Sequence, residues 1–296
     1  MNPKYDMACH DAFLRLISVH SPMKTPLFFL LFTVLLSLHA DAQALSAPAP
    51  ETYLLLVGGG ARPISAMAEF SRWTAASAKH AQHSTNSVLI IGWSSAIPAD
   101  YFATISADLR PHGINRFFAS LTGPKTSEEV RAFLHTLQNA DAVFFTGGNQ
   151  NKAMEIISNP LIRQALENKF YSGTPFAGTS AGTAIMAHTM LTGDESKTGI
   201  GLGFFKKGII DMHFIIRNRE ARLKQAMLDS HIDFGIGIDE GAALAITNMN
   251  IAEVMGPKDV MYYHTVNHVI QSTRLSNGEK FKLDAWKLMN CQSLIQ

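Results

Sequence analysis

The sequence has few cysteines and no concentration of charge. Cysteine occurs twice in 296 residues, as Cys9 and Cys291, so a disulfide framework is excluded. Lysine and arginine number 25 and aspartate and glutamate 24, which gives a formal net charge of +1 without any basic run. Nonspecific nucleic-acid binding requires a strong basic field. The charge balance therefore excludes nucleic acid as an expected partner.

Ligand sets for a metal or a cofactor are also lacking. No Cys/His cluster has metal-binding spacing, and Gly58-Gly59-Gly60 departs from the Gly-x-Gly-x-x-Gly pattern that cradles phosphates. We therefore expect no cofactor and no metal. With 47% hydrophobic and 17% charged residues, and without repeats or low-complexity tracts, the chain is typical of an enzyme-sized globular protein with a buried core.

The N-terminal region has the pattern of a secretory signal peptide. Residues 1–22 are polar and aperiodic, as in an upstream extension before a start at Met23. Lys24 precedes an apolar stretch of twelve residues, 27–38, and then the small-x-small sequence Ala40-Asp41-Ala42. Twelve apolar residues are short for a membrane span, so cleavage is favoured over the alternative of an uncleaved anchor.

The predicted organisation follows from a cut after Ala42. Residues 23–42 would be the signal peptide, 43–51 a proline-containing linker and 52–296 a single domain. The mature chain would lose Cys9, have no stable membrane anchor, and be exported to a periplasm or the medium. The oligomeric state stays open, with a homodimer as one alternative.

Short apolar runs alternate with helical patterns along the domain. Strands are predicted at 53–57, 87–92, 116–119, 142–146 and 174–178. Helices are predicted at 64–82, 99–109 and 127–138, and from Asn159-Pro160 onward. The helix at 127–138 follows the capping box Thr126-x-x-Glu129. This alternation predicts an α/β fold with a mostly parallel sheet and helices on both faces. The last third, with 235–246 and 250–263, is expected to add antiparallel strands.

Glycine-rich turns mark the expected position of a site. They occur at 58–60, 147–148 and 178–182, each directly after a predicted strand. Ligands of such sheets collect at the carboxyl ends of the strands. The three turns are therefore expected to meet at one rim.

The turn at 178–182 reads Gly-Thr-Ser-Ala-Gly, between a predicted strand and a helix-like segment, 183–190. In this context Gly-x-Ser-x-Gly is typical of a nucleophile elbow, with Ser180 exposed and the Ala181 amide available to an oxyanion. The alternative is a close-packed turn with an incidental serine.

A serine nucleophile needs a base, and the base needs an orienting acid. His213 follows the apolar run 208–210 and is placed near a strand end. Glu240 and Glu195 are both candidates for the acid, and the pattern leaves both open. The candidate residues for binding a substrate carboxylate are Arg217, Arg219 and Arg222, although a solvated helix face would also explain them.

Five motifs together resemble the cyanophycinase and dipeptidase E group of serine peptidases, whose fold is like that of class I glutamine amidotransferases. They are Phe-Thr-Gly-Gly-Asn-Gln at 145–150, Gly-Thr-Ser-Ala-Gly at 178–182, Gly-Leu-Gly-Phe-Phe at 201–205, Asp-Met-His-Phe-x-x-Arg-x-Arg-x-x-Arg-Leu at 211–223 and Gly-Ile-Gly-Ile-Asp-Glu at 235–240. The motifs occur in family order between residues 145 and 240.

The resemblance implies a serine-type exopeptidase or isopeptidase that forms an acyl-enzyme on Ser180, with His213 as the base. It implies an oxyanion hole of the Gly148 and Ala181 amides and a substrate site lined by Gln150 and the three arginines. The acid would be Glu240, which matches a recurrent glutamate of the family, or Glu195, which matches dipeptidase E by spacing. Cyanophycinases release β-Asp-Arg dipeptides from a polymer, and dipeptidase E releases N-terminal aspartate. The implied substrate is therefore an aspartyl peptide or a cyanophycin-like polymer.

The sequence departs from the cyanophycinase pattern at two positions. Cyanophycinases typically have Asp-Gln-His where this chain has Asp211-Met212-His213, so Met212 replaces a glutamine. They typically have Asp-Gln where this chain has Asn149-Gln150, so Asn149 replaces an aspartate. Two other functions remain as alternatives. An α/β-hydrolase esterase would take its base from His264 or His268 near the end of the chain. A non-catalytic exported protein would hold acidic peptides with the arginines.

Overall fold

The computed structural model describes residues 50–193, 195–283 and the backbone of 287–288. The predicted upstream extension, the signal peptide and most of the linker lie outside the described residues. From Pro50 onward the chain forms one compact unit. Among the described residues, no helix is both long and apolar enough to cross a membrane.

A nine-stranded sheet forms the centre of the molecule. Its parallel strands are β1 Tyr53–Val57, β2 Ser87–Ile91, β3 Arg116–Ser120, β4 Ala142–Phe145 and β5 Phe176–Thr179. Its antiparallel additions are β10 Ala243–Thr247, β11 Ile251–Met255, β14 Lys280–Lys282 and β15 Lys287–Leu288. The strand order is β15-β14-β11-β10-β1-β5-β4-β2-β3.

A second sheet has six strands. They are β6 Thr189–Leu191, β7 Thr198–Ile200, β8 Ile209–Met212, β9 Phe234–Ile238, β12 Val260–Val266 and β13 Val269–Leu275, in the order β13-β12-β9-β8-β6-β7. The helices are α1 Ile64–His80, α2 Pro98–Leu109, α3 Ser127–Asn139, α4 Gln150–Ile157, α5 Pro160–Tyr171, α6 Ala181–Ala184 and α7 Glu220–Asp229.

Both faces of the nine-stranded sheet are buried, because alternate side chains of its central strands enter different cores. Leu55 and Val57 of β1 pack with residues of α1 and α2. Leu54 and Leu56 of the same strand pack with α3, α4 and α5, and with β8 and β9 of the second sheet. Burial on both faces explains why the central parallel strands are continuous apolar runs rather than alternating ones.

The α/β prediction is confirmed, and most predicted strands and helices occur within two residues of their expected bounds. The capping box of α3 is present, with reciprocal hydrogen bonds between Thr126 and Glu129. The prediction of a helix over 183–190 is wrong, because α6 ends at Ala184. The backbone beyond it pairs with the 201–205 segment instead, for example through the Leu202 amide and the Ile185 carbonyl at 2.7 Å. The sequence pattern also does not predict the second sheet.

Candidate active site

The candidate site lies where strands of both sheets end. Gly58 follows β1 and Ser180 follows β5, while His213 follows β8 and Asp239 follows β9. The amide of His213 donates to the Gly58 carbonyl at 2.9 Å, which joins the ends of β8 and β1. The rim expected from the glycine turns is therefore completed by residues from the second sheet.

Ser180 has the backbone of a sharp elbow, with φ 52° and ψ −114°. This conformation is sparsely populated by non-glycine residues and is held only where its surroundings impose it. The Ser180 amide donates to the Val57 carbonyl at 3.0 Å. The Thr183 hydroxyl lies 2.7 Å from both that carbonyl and the Gly178 carbonyl. The end of β1 therefore secures the elbow.

The glycines on either side of the serine are required by close backbone approach. A Cβ on Gly178 would lie 2.2 Å from the Gly182 carbonyl oxygen, and a Cβ on Gly182 would lie 2.3 Å from the Phe145 carbonyl oxygen. No side chain fits at either position without moving the backbone. The Gly-x-Ser-x-Gly spacing is thus a packing requirement of this elbow.

Three side chains form a continuous hydrogen-bonded chain. Ser180 Oγ lies 2.7 Å from His213 Nε2, and His213 Nδ1 lies 2.5 Å from Glu240 Oε1. A histidine so placed can take the serine proton through Nε2 while the glutamate fixes the ring through Nδ1. The geometry has the order nucleophile, base and acid.

The pKa of His213 is lowered from its ordinary value of 6.5. Burial is the largest cause, and the charges of Arg217 and Arg219 lower the pKa further. The hydrogen bond and the charge of Glu240 act in the opposite direction. The lowered pKa keeps the imidazole neutral near pH 7, which is the form that can accept a proton.

Two backbone amides adjoin the serine without an acceptor among the described residues, those of Gly148 and Ala181. Gly148 has φ 131°, and a Cβ there would lie 2.1 Å from the Ser94 carbonyl oxygen. Both amides line the same pocket as Ser180. They can donate to an oxyanion that forms on a substrate carbonyl. Because α6 has only four residues, this site depends on the individual amides rather than on a helix dipole.

The pocket beside Ser180 has a volume of about 270 Å³. It is lined by Gln150, Met212 and all three arginines that the sequence indicates as substrate-binding candidates. Arg217 is exposed on the turn after His213, and its side chain has no hydrogen bond or ion pair within the described part of the chain. A guanidinium in this position is available to a carboxylate-bearing ligand.

The other two arginines are bound to Asp211, a fully buried residue of β8. Arg222 lies 2.8 Å and 2.5 Å from the two carboxylate oxygens of Asp211, in a bidentate arrangement. Arg219 donates to the Met212 carbonyl at 2.7 Å and lies 3.4 Å from Asp211. These contacts attach the start of α7 to β8, so the three arginines are not an equivalent clamp.

Gln150 and Asn149 contribute differently to the rim. Gln150 is buried at the start of α4, and its side-chain amide donates to the Leu191 carbonyl at 2.7 Å. Asn149 is the N-cap residue of that helix and accepts from the Asn151 amide. Gln150 thus connects the oxyanion turn to β6 while lining the pocket.

The structure does not bring Glu195 to the histidine. Its side chain is 72% exposed and forms an ion pair with Lys197 at 2.6 Å, and that pair lowers its pKa. An exposed carboxylate away from the imidazole cannot orient it, so of the two candidate acids Glu240 is the one that contacts His213. The esterase alternative also lacks geometric support, because His264 stacks on Tyr262 and His268 lies in the β12–β13 turn.

Sequence reasoning missed the function of the glycine run after β1. A Cβ on Gly59 would lie 2.2 Å from the His213 ring, and a Cβ on Gly60 would lie 2.8 Å from Glu240 Oε2. The run lets the backbone pass directly beside the histidine and the glutamate. Its signal was a glycine cluster at a strand end that matched no phosphate-binding motif.

Asp239, beside the acid, has a role that the sequence pattern does not indicate. Its buried carboxylate accepts from the amides of Ile215 and Ile216, both at 3.0 Å. These bonds hold the turn that carries Arg217. The two adjacent carboxylates therefore position different parts of the site.

Comparisons with known proteins identify the family of the chain. Residues 54–254 match peptidase family S51. A cyanophycinase from Geminocystis herdmanii is 31% identical over 138 residues, 43% of this chain and 51% of that protein. A peptidase E from Nostoc sp. is 27% identical over 142 residues, 43% of this chain and 57% of that protein. The chain thus spans about half the length of the curated relatives it matches.

The fold also has a solved counterpart. The crystal structure of a peptidase from an acI-B1 actinobacterium superposes with a TM-score of 0.62 at 18% identity, covering 78% of this chain and 96% of that one. At this identity the likeness concerns the fold alone. The family match covers more than half of the chain and includes Ser180, His213 and Glu240. The protein therefore belongs to peptidase family S51.

Proposed function

We propose that the protein is a serine peptidase that hydrolyses aspartyl peptide bonds, including β-aspartyl ones, through an acyl-enzyme on Ser180. The observation that carries this proposal is the hydrogen-bonded chain from Ser180 through His213 to Glu240, beside two amides without acceptors among the described residues. A structural serine would need neither a neutral histidine nor free donors next to it.

The geometry supports the following reaction. His213 Nε2 takes the proton of Ser180 as Oγ attacks the substrate carbonyl carbon. The Gly148 and Ala181 amides donate to the resulting oxyanion. The imidazolium, stabilised by Glu240, gives its proton to the leaving amine, and the carbon–nitrogen bond breaks. A water molecule then attacks the ester, with His213 again as the base, and releases the acid and the serine.

An aspartyl substrate is favoured by the charge of the pocket and by the relatives. Arg217 presents a guanidinium, unpaired within the described part of the chain, to the cavity that contains Ser180. A guanidinium binds a carboxylate in a bidentate fork, so a substrate with a free carboxylate near the scissile bond matches this pocket. The names cyanophycinase and peptidase E among the relatives support the same substrate class.

A dipeptidase acting on short aspartyl peptides is the second candidate. Its support is the pocket volume of about 270 Å³, which is at the small end for ligand sites. A pocket of this size fits a short peptide, whereas a polymer would have to extend beyond it.

The experiment compares the wild-type chain, Ser180→Ala and the control Ser172→Ala, which removes an exposed hydroxyl bonded to the Lys169 carbonyl. Each protein is incubated with cyanophycin and with α- and β-aspartyl dipeptides, and products are identified by mass. We expect hydrolysis by the wild type and Ser172→Ala and none by Ser180→Ala. Release of β-Asp-Arg would support the polymer as substrate, and cleavage of dipeptides alone would support the dipeptidase. Tight binding without turnover would contradict the proposal and favour a binding protein.

A further inference from the structure

Tyr101 lies beside the nucleophile without belonging to the arginine pocket. It is in the first turn of α2, which begins at Pro98. A Cβ on Gly147 would lie 2.7 Å from the Tyr101 hydroxyl oxygen and 3.4 Å from Ser180 Cβ. The space that a methyl group would fill at Gly147 therefore separates the phenol from the serine.

The phenol hydroxyl has no partner within the described part of the chain. It makes no hydrogen bond there, although the residue is partly buried. The hydroxyl oxygen is not fully buried, so solvent can reach it. A tyrosine in an apolar setting normally places its hydroxyl against a hydrogen-bond partner. This hydroxyl is instead open beside Ser180.

Its position complements the arginine pocket. The lining of that pocket includes Gly148, Ser180 and Arg217 but neither Gly147 nor Tyr101. A peptide bound for attack extends to both sides of the carbonyl at Ser180. With one part of the peptide in the arginine pocket, a portion that passed over Gly147 would come within reach of the phenol.

We propose that the Tyr101 hydroxyl is a further substrate-binding group, which hydrogen-bonds a peptide group of the substrate next to the scissile bond and outside the arginine pocket. This inference rests on the proposed peptidase function. It also explains Gly147: a side chain there would occupy the path between Tyr101 and Ser180.

The experiment uses Tyr101→Phe, which keeps the ring and removes only the oxygen. Tyr171→Phe is the matched control, because Tyr171 is an exposed residue at the end of α5 outside the site. Two quantities are measured for each protein: kcat and KM on the best peptide of the panel, and the rate at which a small alkyl fluorophosphonate labels Ser180. The labelling reagent has no peptide group for Tyr101 to bind.

We expect Tyr101→Phe to raise KM about five- to tenfold, the worth of one neutral hydrogen bond, with kcat and the labelling rate unchanged within about twofold. Tyr171→Phe should match the wild type in every measurement. An unchanged KM in Tyr101→Phe would overturn the inference while leaving the peptidase proposal intact. A parallel loss of kcat and labelling would also overturn it, because the phenol would then act on Ser180 itself. A wild type that is inactive and unlabelled would remove the proposed function and this inference together.

Discussion

Glu240 is the residue that the structure places as the acid beside His213. Its carboxylate contacts His213 Nδ1, whereas the adjacent Asp239 holds the backbone of the next turn. In a serine, histidine and acid arrangement the carboxylate fixes the tautomer and stabilises the imidazolium. The side chain of Glu240 should therefore affect the rate far more than any other candidate acid.

We expect Glu240→Gln to lower kcat by a factor on the order of 10²–10⁴, since an amide can favour the wrong tautomer of the histidine. Steady-state hydrolysis of an aspartyl peptide measures this loss. Glu195→Gln is the control and should stay within about twofold of the wild type, because it only removes an exposed pair with Lys197. A larger loss in Glu195→Gln than in Glu240→Gln would reverse the assignment.

The lowered pKa of His213 predicts the acid side of the pH profile. The base works in its neutral form, so kcat/KM should fall as pH drops through the pKa of the free enzyme, below 6.5. Arg217→Gln removes a charge that lowers this pKa, so its acid limb should move to higher pH. The control Arg72→Gln, at an exposed pair with Glu69, should leave the limb in place. A limb that moves to lower pH in Arg217→Gln would contradict the electrostatic account.

The sequence predicts some of these residues and not others, for physical reasons. Ser180 and His213 could be recognised because each directly follows an apolar strand in a tight motif. The choice between Glu240 and Glu195 could not be made, because it depends on how two loops fold around the histidine. The pairing of Arg219 and Arg222 with Asp211 was also missed, since it joins a helix to a strand of another segment.

At the scale of elements, the loop after β1 is a structural part of the active site. Gly59 has φ 121°, and the imidazole of His213 occupies the space that a side chain on Gly59 would need. Gly113, after α2, has φ 89°, and apart from Gly113 and its two chain neighbours no described residue has an atom within 4 Å of the position that its Cβ would occupy. The two glycines thus share positive φ and differ in what surrounds them.

We expect Gly59→Ala to lower kcat/KM about 100-fold or more, because the histidine must move and small misplacements of a catalytic group are costly. Gly113→Ala should keep wild-type kcat/KM and lose only about 1–2 kcal/mol of unfolding free energy through backbone strain. Hydrolysis rates and urea unfolding separate the two effects. Wild-type activity in Gly59→Ala would contradict the close contact with His213.

The junction of β8 and α7 depends on one buried carboxylate. Asp211 is fully buried and contacts Arg219 and Arg222. Removing one partner of a buried charge group leaves the others uncompensated. These contacts hold α7 against the second sheet, next to the strand end that carries His213.

We expect Asp211→Ala to lower the unfolding free energy by about 3–5 kcal/mol, measured by urea denaturation. Glu69→Ala, which removes an exposed pair with Arg72, should cost less than about 1 kcal/mol. Equal losses in the two variants would show that the buried group contributes no more than a surface pair.

Strands and helices could be predicted where the local sequence pattern determines them. They could not be predicted where pairing between distant segments determines them. The buried parallel strands and the capping box of α3 are encoded in local runs of residues. The shortness of α6 results from hydrogen bonds to the 201–205 segment, which a local pattern does not contain. In the second sheet β9 pairs with β8 and β12, although α7 lies between β8 and β9 in the chain and β10 and β11 lie between β9 and β12, so this pairing could not be inferred from periodicity.

At the scale of the whole molecule, the site exists only when both sheets are formed. The nucleophile follows a strand of the first sheet, whereas the base and the acid follow strands of the second. The elbow at Ser180 and the turn at His213 both have positive φ, and each is hydrogen-bonded to the end of β1. Packing of the second sheet on one face of the first therefore brings the three side chains together.

The most direct test of the account is covalent labelling of Ser180 by a fluorophosphonate, followed by intact mass and peptide mapping. The wild-type chain should gain one adduct at Ser180. Ser180→Ala should gain none, and His213→Ala should react at least about 100-fold more slowly, because the serine would lack its base. No adduct on the folded wild type, or an adduct at another serine, would contradict the assignment of Ser180 as the nucleophile.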